Sequence, residues 1–143
     1  MQLISIILLL TQLNGLIWNN DFPTAQSQAK LEHKQILLNF SGSDWCGPCI
    51  RLTKEIFQST DFEQLATEEL ILVRADFPRS KKNQLSKEQQ QKNEALAERF
   101  NEKGSFPLTL LLDENGRVLK SWEGYPANQA NGFIKELREL THE

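Results

Sequence analysis

The order of apolar runs along the chain predicts an α/β domain, a mixed four-stranded sheet with helices on both faces. Three observations carry this. Two short continuous apolar runs, Ile36-Leu37-Leu38-Asn39-Phe40 and Leu70-Ile71-Leu72-Val73, read as buried central strands. Segments with helical spacing of apolar residues precede, separate and follow them. Further along, two more apolar runs flank Asp113-Glu114-Asn115-Gly116, and Asn-Gly between strands is a strong hairpin signal.

The first helix is expected over residues 21–34, because Phe22, Ala25 and Ala29 recur at helical spacing and Pro23 suits a helix start. The strand at 36–40 runs into the turn Ser41-Gly42-Ser43-Asp44. Pro48 fits the first turn of a second helix, where its missing N–H costs nothing, and Cys49, Leu52, Ile56 and Phe57 then share one face. Thr60 or Asp61 is expected to cap a short helical stretch carrying Phe62 and Leu65. The strand at 70–73 ends near Asp76, and Pro78 stops it. Residues 79–91 are polar, rich in Lys and Gln, and lack an apolar stripe. They read as a solvated loop entering a helix whose buried side emerges at Leu96 and Phe100 and which Gly104 ends. Strands at 108–112 and 117–122 form the hairpin. A last helix, about 128–140, carries the stripe Phe133, Ile134, Leu137 and Leu140. After the first helix the order is βαβαββα. Its opening βαβ unit implies parallel strands joined by a right-handed crossover, and its closing hairpin adds a strand antiparallel to them.

At 143 residues, with 39% hydrophobic and 24% charged, the chain suits one domain with a core that needs no metal or disulfide staple. A net charge of -3 provides no field for collecting phosphates, which argues against nucleic acid as a partner. A monomer is expected. The two histidines, His33 and His142, lie in polar terminal helical segments and read as surface residues. The apolar run at residues 3–10 is shorter than the ~20 residues of a membrane span and has the length of a signal-peptide core. Residues 1–16 are therefore expected to be a signal peptide and 17–143 the domain, with an uncleaved N-terminal anchor or a buried strand as alternatives. No cysteine follows the run, so a lipoprotein anchor is not supported.

The chain has two cysteines, three positions apart in Trp45-Cys46-Gly47-Pro48-Cys49. That excludes a disulfide scaffold and a four-cysteine zinc site within one chain. Residues i and i+3 across the first turn of a helix meet the Cα separation a disulfide needs. Cys46 is placed at the helix N-terminus, where outward N–H groups lower a thiol's pKa. Cys49 lies one turn inside, on the buried face. Cys46 is therefore the expected attacking thiolate and Cys49 the resolving thiol. Gly47 and Pro48 keep the turn compact, and Trp45 shelters one side. No cofactor is expected beyond the redox-active Cys46–Cys49 pair.

Trp45-Cys46-Gly47-Pro48-Cys49 resembles the active-site motif of the thioredoxin superfamily. Phe106-Pro107-Leu108-Thr109 resembles that family's second landmark, a loop with a cis proline. The resemblance implies the thioredoxin fold, a cis bond between Phe106 and Pro107, and a substrate groove walled by those two residues. The stretch from Trp18 through the first helix to Cys46 is similar to exported bacterial thioredoxin-like proteins, including domains of disulfide-reducing membrane systems. This implies a periplasmic setting, protein or small-molecule disulfides as substrates, and an upstream thiol donor that can be membrane-bound. Cys-Gly-Pro-Cys implies the reducing direction. Asn39 falls where cytoplasmic thioredoxins carry a buried Asp, so the proton of the resolving cysteine must go to water or to a group such as Glu55 or Asp76. The polar stretch from Arg79 to Lys92 is longer than the family's connection. Two other functions use the same features: a soft-metal carrier, such as one for Cu(I), held by Cys46 and Cys49, and a binding module that uses the Pro107 groove without turnover.

Overall fold

A computed structural model of the protein describes residues 15–142. The apolar run at 3–10, expected to be a signal-peptide core, lies outside the described residues. The strands are β1 (Trp18–Asn19), β2 (Gln35–Ser41), β3 (Leu70–Asp76), β4 (Leu108–Leu112) and β5 (Val118–Glu123). The helices are α1 (Phe22–Glu32), α2 (Gly47–Leu52), α3 (Thr60–Glu69), α4 (Lys87–Phe100) and α5 (Gln129–Thr141). A π-helical segment, Thr53–Phe57, continues α2.

The strands form one mixed sheet in the order β1-β3-β2-β4-β5. β2 pairs parallel with β3 and antiparallel with β4, as the βαβ unit and the hairpin require. The sheet has five strands among the described residues, not four: β1 lies parallel to β3, with Trp18 opposite Leu72. Two residues are too few to show strand periodicity in sequence.

Residues alternate across β2. Ile36, Leu38 and Phe40 join Phe22, Ala25 and Ala29 of α1 and Leu96 of α4 in one core. Leu37 joins Leu52, Ile56, Phe62, Phe133 and Leu137 in the other. Helices therefore cover both faces, and β2 is buried on both sides, which is why it reads as an unbroken apolar run. Each fully buried Leu, Ile or Phe contributes roughly 1.5–3 kcal/mol. Asn39 and Ser41 take the Leu37 side of the strand, facing the helix that carries the cysteines.

The caps correct several boundaries. Ser59, rather than Thr60 or Asp61, caps α3 by accepting the Phe62 N–H at 3.2 Å. α4 begins at Lys87, inside the stretch expected to be loop to Gln91, because Ser86 accepts the Gln89 N–H at 3.1 Å. It ends at Phe100 on Asn101, four residues short of the sequence-expected stop at Gly104 had the glycine been its cap. The hairpin is as expected: Asp113 Oδ1 accepts the N–H groups of Asn115 and Arg117 at 2.9 Å, and Gly116 takes φ +83°.

Candidate active site

β2 delivers the chain into the turn Gly42-Ser43-Asp44-Trp45. The carbonyl of Gly42 accepts the N–H of Trp45 at 3.3 Å and of Cys46 at 2.9 Å. A side chain at position 42 would collide with the Trp45 ring, so the turn folds over a bare α-carbon. Cys46 then caps α2, and Pro48 occupies the helix's first turn, where no N–H is required.

Cys46 and Cys49 are joined as a disulfide with Cα atoms 5.2 Å apart. Both are buried, while Gly47 and Pro48 between them are exposed. Cys46 Sγ accepts the Cys49 N–H at 3.3 Å, and Cys49 Sγ accepts the Gly42 N–H at 3.5 Å. Each sulfur thus meets a backbone donor. Such donors favour the thiolate when the pair is reduced.

The peptide bond between Phe106 and Pro107 is cis. The loop lies beside the redox turn because β4, which follows it, pairs with β2: Leu108 sits opposite Phe40. Aromatic rings complete the join. Phe106 packs edge-on against Trp45, with centroids 5.6 Å apart, and against Phe77 at 5.3 Å. Trp45 Nε1–H donates to the Phe77 carbonyl at 2.7 Å. Gly124 N–H donates to the Pro107 carbonyl at 2.8 Å, closing the loop onto the end of β5.

A family model described as a thioredoxin-like domain matches residues 22–141. The chain belongs to the thioredoxin-like family. Its bonded Cys-x-x-Cys pair at a helix start makes this thioredoxin-like protein a thiol–disulfide oxidoreductase. It is 38% identical over 124 residues to a protein of Chlamydia pneumoniae named disulfide bond reductase DsbH, covering 87% of this chain and 72% of that one. A second chlamydial relative, the thioredoxin-related protein DsbJ, is 29% identical over 106 residues, which span 74% of this chain and only 30% of that protein. A solved DsbH oxidoreductase superposes with a TM-score of 0.79 at 30% identity, covering 90% of this chain and 85% of that one. A thioredoxin from Thermus thermophilus shares the fold, with a TM-score of 0.64 at 16% identity over 88% of this chain and 87% of that one.

On the Leu37 side of β2, the thioredoxin-like protein buries Asn39 at 1% exposure, with its amide donating to Thr109 Oγ1 at 3.1 Å. The two carboxylates considered as stand-ins for the family's acid are engaged elsewhere. Glu55 accepts from the Tyr125 hydroxyl and from Arg51. Those bonds, Tyr125's first, hold Glu55 below the usual carboxylate range and push the Tyr125 phenol up. Asp76 accepts the N–H groups of Ser43 and Phe77, both at 3.0 Å, and the Ser43 hydroxyl. Neither hydrogen-bonds a cysteine sulfur.

Two supporting residues were not singled out by sequence. Asp44 accepts the N–H groups of Arg79 and Ser80 at 2.9 Å and the Asn83 amide at 3.0 Å, tying the redox turn to the segment after β3. Asn101, 5% exposed, both donates to and accepts from the Ser105 backbone at 2.9 Å, fixing the approach to the cis bond. The signal for Asn101 was its place just before Gly104, a polar residue where the helix stops. Asp44 gave none, because its partners lie 35 to 39 residues away.

Proposed function

We propose that this protein is an exported dithiol reductase that transfers two electrons from Cys46 and Cys49 to disulfides of proteins or small molecules. The observation that carries the reading is the bonded pair at the start of α2, with a backbone donor on each sulfur and the cis-proline loop alongside. The reducing direction is supported by Cys-Gly-Pro-Cys and by similarity to a protein named as a disulfide bond reductase. Export is supported by the N-terminal apolar run and by the resemblance of the stretch from Trp18 to Cys46 to exported thioredoxin-like proteins; no helix among the described residues is long and apolar enough to cross a membrane.

In the reduced protein the Cys46 thiolate, met by the Cys49 N–H, attacks one sulfur of the substrate disulfide. That bond breaks, a Cys46–substrate disulfide forms, and the outgoing sulfur takes a proton. Asn39 has no free base to offer, so Cys49 gives its proton to solvent. Its thiolate attacks Cys46 Sγ, releasing the second substrate thiol and leaving the 46–49 disulfide. A thiol donor, by class a dithiol protein of the membrane, then reduces that disulfide and is itself oxidised. Phe106 and Pro107, with Trp45 packed against Phe106, wall the groove in which the substrate chain lies.

The test is reduction of insulin or 2-hydroxyethyl disulfide by the protein with excess dithiol. Cys46→Ser is expected to abolish turnover. Cys49→Ser is expected to accumulate a Cys46–substrate disulfide, visible by mass. Wild-type protein with no activity above free dithiol, or a Cys46→Ser variant with full activity, would rule the reading out.

A further inference from the structure

We propose that Arg79 is a specificity-determining residue that favours disulfides flanked by carboxylates, an inference that rests on the reductase reading above. Arg79 is exposed, and its guanidinium carbon lies 3.6 Å from the centroid of the Trp45 ring, the residue next to Cys46. Its backbone is pinned there by Asp44, which accepts the Arg79 N–H at 2.9 Å. The segment that follows β3 therefore starts by placing a cation over the tryptophan that precedes Cys46.

The charge is available. Among the described residues no carboxylate forms an ion pair with Arg79 within 4.0 Å. A second arginine rests on an aromatic ring tied to helix α2: Arg51 lies 4.0 Å from the centroid of Tyr125. It differs in one respect, because Glu55 neutralises it at 3.0 Å. Asp44 forms no ion pair with the Arg79 guanidinium; its oxygens accept two backbone N–H groups and the Asn83 amide instead. Stacking on Trp45 holds the guanidinium plane in place, so less side-chain freedom is lost on binding. Its fork of donors matches a carboxylate in two-point geometry, which a lysine cannot reproduce. A substrate chain crossing from Cys46 over Trp45 brings residues beside its own cysteine to this cation. Asp or Glu there is attracted, and Lys or Arg is repelled.

The experiment uses the full protein and three disulfides: a peptide flanked by glutamates, its lysine-flanked twin, and neutral 2-hydroxyethyl disulfide. Each peptide's kcat/KM is divided by the same variant's value for the neutral compound, so that any general loss of activity cancels. Wild type is expected to prefer the glutamate peptide roughly two- to fivefold at low salt, the scale of one exposed ion pair. The preference should shrink at high salt. Arg79→Gln should bring the ratio near one, Arg79→Glu should invert it, and Arg79→Lys should keep part of it. A wild-type ratio of one, or an Arg79→Gln variant that keeps the wild-type preference, overturns the assignment while leaving the reductase reading intact. Wild-type protein that reduces none of the three overturns both.

Discussion

Asn39 separates this site from one with a buried acid. Its side chain is 1% exposed and spends its amide on Thr109 Oγ1 at 3.1 Å. A neutral amide there leaves no carboxylate to desolvate and no base beside Cys49. Asn39→Asp therefore tests both consequences. The carboxylate would have the Thr109 hydroxyl as its nearby donor, and burial would raise its pKa above the unfolded value. A group raised in this way destabilises the fold above its folded pKa, and the loss disappears as pH falls below the ordinary Asp value. We expect a cost of about 2–4 kcal/mol at neutral pH, narrowing as the pH approaches 4. Urea unfolding at several pH values checks it, and an equal cost at all of them would contradict it. The same variant should speed loss of the Cys46–substrate disulfide in single-turnover reduction, because it puts a proton acceptor on the strand face that packs against α2.

At the scale of elements, α4 shows which parts of the fold were readable. β2 and β3 were legible because both are buried on two faces, so their apolar runs are unbroken. The hairpin was legible because Asn115-Gly116 imposes the turn locally, and the active-site turn because its motif is contiguous. The start of α4 was missed because its first turns are polar. Their attachment is by hydrogen bonds rather than by an apolar stripe. Asn93, 2% exposed, donates to the Asp76 carbonyl at 2.9 Å and accepts from the Gln89 amide at 2.9 Å, docking the helix on the end of β3. Ser86-Lys87-Glu88-Gln89 carries the serine-to-glutamine spacing of a helix N-terminus, and that was the available clue. β1 left none, being two residues held by register with β3. Asn93→Ala removes the donor from the Asp76 carbonyl. It is expected to cost about 1–3 kcal/mol in urea unfolding without abolishing disulfide exchange. A change within a few tenths of a kcal/mol would show that α4 docks by other contacts.

Over the whole molecule, the redox turn is held by reciprocal carboxylates. Asp76, at the end of β3, grips Ser43 in the turn, and Asp44, in the turn, grips Arg79, Ser80 and Asn83 beyond β3. Asp44 is held below its ordinary pKa, chiefly by the Arg79 N–H and then by the Asn83 amide and Ser80 N–H. The sign of the linkage follows. A depressed folded pKa means the ionised group contributes stability above its ordinary value of 3.8, and that contribution is lost as pH falls through the lowered folded value. Asp21, Glu55 and Glu136 are depressed too, with Thr24, Tyr125 and Lys120 as their leading partners. The wild-type acid limb is therefore a sum, and only a difference isolates the clasp. Asp44→Asn keeps the shape but turns one acceptor into an NH₂ facing N–H donors. Its urea midpoint should lie below wild type at neutral pH, hold a near-constant gap while both are well above pH 3.8, and converge on wild type at lower pH. Trp45, whose ring carries Arg79 and whose Nε1–H reaches Phe77, should shift its fluorescence in the same variant. A midpoint gap that persists unchanged into acid would mean that the cost comes from the introduced NH₂ and not from loss of the Asp44 charge, and no gap at any pH would mean that the redox turn is fixed by Asp76 and the Trp45–Phe77 bond.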